Sequence, residues 1–144
     1  MREILFRAKR IDNGEWVEGW YQPPIVGIHC DGRKESLGAS LSIIGNYGFL
    51  EDVYIIPETV GQFTGLTDKN GKKIFEGDIV RDAQSSLFGK VVYVTPQDGF
   101  DGMAGFMVDD VDDGLQNYNG FWHQVEVVGN IHDNPELLEV IDNV

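Results

Sequence analysis

A group of aspartates between residues 98 and 113 has the composition best suited to metal chemistry in this sequence. Its members are Asp98, Asp101, Asp109, Asp110, Asp112 and Asp113. Calcium prefers oxygen ligands, and clustered carboxylates supply them. The spacing differs from that of an EF-hand, which requires a glutamate at a fixed offset after its glycine. We therefore expect a solvated acidic loop over residues 96–119 and no metal site.

Zinc chemistry has weaker support. The histidines are His29, His123 and His132, and their spacing matches no zinc motif. Cys30 is adjacent to His29, and neighbouring residues of a strand point to opposite faces, so the two are poor partners for one ion. Cys30 is also the single cysteine, which cannot form an internal disulfide and favours a reducing compartment.

Catalytic motifs are missing from the sequence. It contains no G-x-S-x-G elbow and no P-loop order of glycines and lysine. Glu76 and Asp78 flank Gly77 and offer a carboxylate pair, but a Glu-Gly-Asp corner before a strand is typical of a turn. We predict a protein that is not an enzyme and that needs no cofactor.

Two features offer contacts with a partner. Lys69, Lys72 and Lys73 form a local basic patch that could touch phosphate, which supports a nucleic-acid-associated factor as one alternative. Trp122 follows Phe121 directly, so a strand would leave one of the two aromatic rings near the surface, where it could mark an interface.

The charge distribution favours a basic protein partner over nucleic acid. The net charge is −13, and every lysine and arginine lies at or before Lys90. Nonspecific nucleic-acid binding depends on neutralising phosphates, so such a chain is poorly suited to it or to an anionic membrane surface. The carboxylate-rich half suggests another alternative, an acidic mimic of nucleic acid that occupies a basic host protein. A homo-oligomer also stays open.

Strand signals dominate the chain. Asn13-Gly14 and Asn70-Gly71 each predict a hairpin tip, the second as a two-residue type I′ turn that pairs residues near Leu66 with residues near Ile74. Asn134 followed by Pro135 predicts the start of a short C-terminal helix. We expect an all-β fold, mainly antiparallel, that is either barrel-like or built from two bent sheets, with that one helix.

The chain length fits a single domain over residues 1–144. Residues 22–48 predict a loop excursion, because Pro23-Pro24 ends a strand and glycine, serine and charged residues dominate from His29 to Ser42. Further strands are expected from runs of apolar residues at 43–44, 53–56, 90–95, 105–108 and 121–128.

Three segments together resemble the YopX family of phage and prophage proteins. They are Phe6-Arg7-Ala8, the stretch from Gly61 to Val80, and the C-terminal pair of motifs Val128-Gly129-Asn130-Ile131 and Asn134-Pro135-Glu136-Leu137-Leu138. The chain departs from the family pattern at Lys9-Arg10 and at His132. The resemblance implies a phage or prophage origin but assigns no chemistry. It leads us to expect a non-enzymatic accessory protein that acts through protein–protein contacts in the host cytoplasm.

Overall fold

The computed structural model describes residues 5–45, 47–85, 87–95, 105–112, 114–116 and 122–139. The chain divides into two compact units, Met1–Gln62 and Phe63–Val144. The strands that begin in the first unit are β1 (Phe6–Lys9), β2 (Trp16–Gln22), β3 (Ile25–Ile28), β4 (Lys34–Leu37), β5 (Ser40–Ile44), β6 (Leu50–Tyr54) and β7 (Gly61–Thr67). Those of the second are β8 (Lys73–Phe75), β9 (Asp78–Arg81), β10 (Phe88–Val94), β11 (Gly105–Asp110), β12 (Gly114–Gln116) and β13 (Glu126–Asn130).

The first unit is built on the β1–β2 hairpin. Its loop lies between Arg10 and Glu15, where the N–H of Arg10 donates to the C=O of Glu15 at 2.9 Å. Within the loop, Gly14 adopts a φ of 72°. The hairpin predicted from Asn13-Gly14 is therefore confirmed. Neighbouring strands follow in the order β6-β5-β2-β1-β7, all antiparallel. The core of this unit contains the buried side chains Ala8, Ala39, Leu41 and Ile55.

Strands form where the sequence pattern predicted a loop excursion over residues 22–48. Within the described residues, β3 and β4 pair with each other as a separate two-stranded sheet, and β5 pairs with both β2 and β6. The expected loop from His29 to Ser42 is thus wrong over β4 and β5. Its polar residues misled the prediction because Ser40 and Ser42 are buried and hydrogen-bonded to other side chains.

The second unit contains a sheet with the strand order β12-β11-β10-β9-β13, again antiparallel. Its core includes Ile74, Val80, Val91, Val108 and Val125. Strand β11 confirms the strand predicted at residues 105–108, but it continues to Asp110 and β12 follows it, so the predicted acidic loop is wrong at those further positions. Residues 96–104, 113 and 117–121 of that predicted loop lie outside the described residues.

The hairpin around Asn70-Gly71 is present, but its turn differs from the predicted one. Strands β7 and β8 pair Phe63 with Phe75 and Thr67 with Lys73, as expected from the apolar flanks. The N–H of Gly71 donates to the C=O of Asp68, and the N–H of Asp68 donates to the C=O of Lys72. With Gly71 at a φ of 80°, this is a three-residue loop whose last residue is left-handed, and the two-residue type I′ turn is wrong.

The C-terminal part begins with a single 3₁₀ turn at Trp122–Gln124, and β13 starts only at Glu126. The strand predicted over residues 121–128 is therefore wrong at residues 122–124. The predicted helix is confirmed as α1 (Glu136–Glu139). The side-chain oxygen of Asn134 accepts a hydrogen bond from the N–H of Asn130, 3.2 Å away. In the described residues the fold is mainly antiparallel β, with two main sheets and no closed barrel. Of the two predicted architectures, the structure therefore has the one built from two sheets.

Candidate interaction surface

One of the aspartates considered for calcium, Asp110, is a hydrogen-bond acceptor for nearby backbone. Asp110 is buried, and its carboxylate accepts hydrogen bonds from the N–H of Phe88 at 3.2 Å and of Asp112 at 2.8 Å. In the parts of the chain that are described, no three His, Cys, Asp or Glu side chains are placed to hold one metal ion. Asp98, Asp101 and Asp113 lie outside those parts.

The corner formed by Glu76, Gly77 and Asp78 is a turn, as the sequence predicted. Asp78 has only 1% of its surface exposed, and its carboxylate accepts the N–H of Phe75 at 2.8 Å. Gly77 adopts a φ of 92°, a backbone conformation that residues other than glycine rarely adopt. The carboxylate of Asp78 is thereby used to shape the chain between β8 and β9.

The three lysines of the predicted basic patch lie on the β7–β8 hairpin, as expected, and carboxylates lie near two of them. The Nζ of Lys69 lies 3.7 Å from the Oε2 of Glu126, which also contacts the guanidinium of Arg81 at 3.2 Å. The Nζ of Lys73 lies 5.8 Å from the centre of the Phe63 ring. The third member, Lys72, lies close enough to Asp68 to favour its ionised form. The patch therefore attracts phosphate less than three separate lysines would.

Asp68 is a structural residue that the sequence pattern did not single out. Its Oδ1 accepts the N–H groups of Asn70 and Lys72, and its Oδ2 accepts the N–H of Val127. Burial by itself would raise the pKa of this carboxyl, but the three backbone donors and the nearby charge of Lys72 outweigh it and hold the pKa below its ordinary value. Only the position of Asp68 before an Asn-Gly pair hinted at this role.

Trp122 is a core residue and not a surface contact. Only 5% of its surface is exposed, and it belongs to the same buried cluster as Val80 and Val125. The proposed contact through Trp122 is therefore corrected: the 3₁₀ turn, rather than a strand, directs its ring inward. Its neighbour Phe121 lies outside the described residues.

The first unit exposes large apolar side chains on two separate segments of its sequence. On β3 they are Ile25, Val26 and Ile28, which we call the apolar surface; around the turn between β5 and β6 they are Ile44, Tyr47, Phe49 and Leu50. Ile28 is 74% exposed and Phe49 is 76% exposed. Single exposed apolar residues are ordinary, but groups of them mark interaction sites.

The same part of the sequence is electrically neutral within a strongly acidic chain. Between Gln22 and Leu50 the charged residues are Asp31, Arg33, Lys34 and Glu35, two of each sign. Asp31 and Arg33 form an ion pair at 2.6 Å in the turn between β3 and β4. This segment is thus neutral in sequence, and the carboxylates Glu51 and Asp52 follow it directly. The sequence feature that could have revealed the apolar surface is the Ile-Val-Gly-Ile run after the two prolines.

In the described residues, no helix combines the length and the apolar character needed to cross a bilayer.

Comparison with solved structures gives the crystal structure of protein EF1440 from Enterococcus faecalis as a similar fold. The two chains are 24% identical, and the alignment covers 96% of this chain and 99% of that one with a TM-score of 0.50. At this identity the likeness concerns the fold alone. A search of curated proteins finds no match. The family model described as YopX protein matches residues 5–139, nearly the whole chain. The chain therefore belongs to the YopX family.

Proposed function

We propose that this protein is a non-enzymatic accessory protein of a phage or prophage that acts through protein–protein contacts in the host cytoplasm. The observation that carries the proposal is the apolar surface, because unpaired apolar area on a folded domain is stabilised by a partner that covers it. The resemblance to phage and prophage proteins supports the origin.

The charge of the chain indicates the character of the partner. Residues 91–144 carry carboxylates and no lysine or arginine, so their field attracts basic surfaces. A partner that carries both an apolar patch and a basic surface would match the two features, one in each unit. Such a partner would associate more slowly as salt rises, because the attraction is screened beyond about 8 Å at physiological ionic strength.

The test replaces Ile25 and Ile28 together with threonine, which keeps β-branching and therefore strand propensity while removing apolar area. The matched control is Ile11→Thr, since Ile11 is 60% exposed and lies outside the apolar surface. Tagged proteins are first measured by size-exclusion chromatography with light scattering and then used to capture partners from host lysate, quantified by mass spectrometry.

A host protein captured by the wild type and by Ile11→Thr, but lost with the double variant, supports the proposal. Recovery of the same proteins by all three chains contradicts it. If the wild type and Ile11→Thr are dimers and the double variant is a monomer, the apolar surface serves self-association instead.

A further inference from the structure

A groove in the first unit opens beside the apolar surface. It has a volume of about 350 Å³ and lies between the end of β2, the start of β3, and strands β5 and β6. Tyr21 and Tyr54 line it together with Pro23 and Ile25. The ring of Tyr21 packs against Phe6 on the core side of the sheet, with 5.5 Å between ring centres. Tyr54, which is 54% exposed, is therefore the aromatic surface that the groove offers.

A chain of oriented hydrogen bonds leads from Ser40 to Asp52 at the same groove. Ser40 donates to the Oε1 of Gln22, the Nε2 of Gln22 donates to Ser42 at 2.9 Å, and Ser42 donates to the Oδ1 of Asp52 at 2.7 Å. Each bond directs a donor toward the carboxylate. Asp52 is thereby held at the groove, and in the described part of the chain its second oxygen, Oδ2, accepts no hydrogen bond.

The surroundings of Asp52 are acidic. A second hollow of about 270 Å³ shares Asp52 and Tyr54 with the groove and is also lined by Asp12, Glu51 and Arg10. The guanidinium of Arg10 is engaged by Asp12 at 2.9 Å, so it neutralises that carboxylate. Glu51 also interacts with the charge of Arg10, whereas Asp52 lines the groove itself, and a cationic group is the complement that this carboxylate selects.

We propose that this groove binds an arginine side chain from an extended segment of the protein partner. A guanidinium donates hydrogen bonds to a carboxylate in a planar fork and also stacks on aromatic faces. The groove supplies Asp52 for the first interaction and the exposed Tyr54, two residues along the same face of β6, for the second. The inference rests on the proposed function, since it names the chemistry of the partner that the apolar surface would help to hold.

The experiment uses two synthetic peptides that differ in one side chain. One is acetyl-Thr-Val-Arg-Val-Thr-amide, and the other carries citrulline, the neutral isostere of arginine, at its centre. Each is titrated into the full-length protein at low salt while the side-chain amide of Gln22 and the backbone of Asp52 are followed by NMR. We expect the arginine peptide to bind about fivefold more tightly, near the upper end for a solvent-exposed ion pair.

The matched variants are Asp52→Asn and Glu58→Gln. Both remove one negative charge from the first unit, but Glu58 lies in the 3₁₀ turn at Pro57–Thr59 and lines neither hollow. Asp52→Asn should weaken binding of the arginine peptide by about fivefold and abolish its advantage over the citrulline peptide. Glu58→Gln should change binding less than twofold.

Equal binding of the two peptides, or equal effects of the two variants, overturns the inference. Self-association that Asp52→Asn abolishes would also overturn it, because the groove would then hold a second copy of this chain. These outcomes are separate from a failure of the proposed function, which is read from the Ile25 and Ile28 double variant and its capture of partners.

Discussion

The carboxylate of Asp68 accepts a hydrogen bond from the backbone N–H of Val127 at 3.0 Å, across 59 positions of the sequence. The same carboxylate holds the turn of the β7–β8 hairpin through Asn70 and Lys72. A second bond, from the N–H of Lys69 to the C=O of Val125, lies beside it. The turn is therefore anchored to β13 close to the register shift between Val127 and Gly129.

This anchor predicts an acid-dependent stability. The pKa of Asp68 is lowered in the folded state, so its contribution is fully present above the unfolded pKa, near 4, and is lost as pH falls through the folded value. Asp68→Asn should cost about 1–3 kcal/mol at neutral pH, because at least one backbone donor loses its charged acceptor. Urea unfolding measured from pH 7 down to pH 2.5 checks both effects.

The control for that series is Asp112→Asn, because the side chain of Asp112 is exposed in the same unit. It should leave the urea midpoint near that of the wild type. The difference in unfolding free energy between the wild type and Asp68→Asn should shrink as the pH falls below 4. If the difference stays at its neutral-pH value down to pH 2.5, Asp68 does not carry the acid dependence.

A second prediction concerns the backbone of Gly71. Its φ is 80°, and an added Cβ would meet nothing within 4 Å, so the cost of a side chain here comes from conformation and not from space. Gly71→Val should destabilise the protein by about 1 kcal/mol or more, because a β-branched residue resists left-handed backbone. Gly71→Asn should cost less, since asparagine tolerates that conformation. Equal losses for the two variants would contradict the assigned turn.

Gly19 presents the opposite situation. A Cβ added at this position in β2 would overlap the carbonyl oxygen of Ser42 in β5. Gly19→Ala should therefore cost about 1–3 kcal/mol, the usual range for overpacking. Gly38→Ala is the control in the same unit, because its nearest neighbour is the Cδ1 of Tyr54 at 3.8 Å, an ordinary contact. Thermal or urea unfolding separates the two, and a neutral Gly19→Ala would show that the strands can move apart at low cost.

Nucleic acid is expected to bind weakly at most. Glu126 balances Lys69, and the acidic half repels duplex DNA, so few uncompensated cations remain to displace counterions. A gel-shift assay at about 0.15 M salt should show no binding at micromolar protein. Micromolar binding that Lys72→Gln weakens would favour the alternative of a nucleic-acid-associated factor.

Folding is expected to be independent of metal ions. Thermal melts with and without a chelator should coincide, since Asp110, one of the candidate ligands, already accepts two backbone hydrogen bonds. A calcium ion present at 100 times its dissociation constant would add about 2.7 kcal/mol, which a melt detects easily. A lower melting temperature in the chelator would restore the calcium hypothesis for residues 98–113.

The parts of the fold that sequence predicts are those with local causes. The hairpins at Asn13-Gly14 and Asn70-Gly71 follow from turn chemistry that a few adjacent residues determine. The turn type at Asn70 was mistaken because Asp68 is held by Val127, a partner that no local pattern reveals. The first part of strand β5, before the predicted run at 43–44, was missed for a similar reason: Ser40 and Ser42 are typical of loops, but they form hydrogen bonds with Gln22 and Asp52.

The candidate site was predicted less well than the fold. The lysines were found from their charge, but Glu126 is distant in sequence, so its effect on Lys69 could not be counted. Trp122 was assigned to the surface because a strand was assumed where the chain forms a 3₁₀ turn. The apolar surface was overlooked because glycine and charged residues around β3 and β4 masked the short Ile-Val-Gly-Ile run.

The separate pairing of β3 with β4 has a consequence for engineering the chain. Within the described residues this hairpin is hydrogen-bonded as a sheet of its own, so lengthening its turn at Cys30 to Gly32 would shift the register of no other strand. The turn at Lys69 to Gly71 has no such freedom, because an inserted residue there would pull Asp68 away from Val127. An affinity tag or fluorescent label therefore belongs at the first turn, and the second should be left at its natural length.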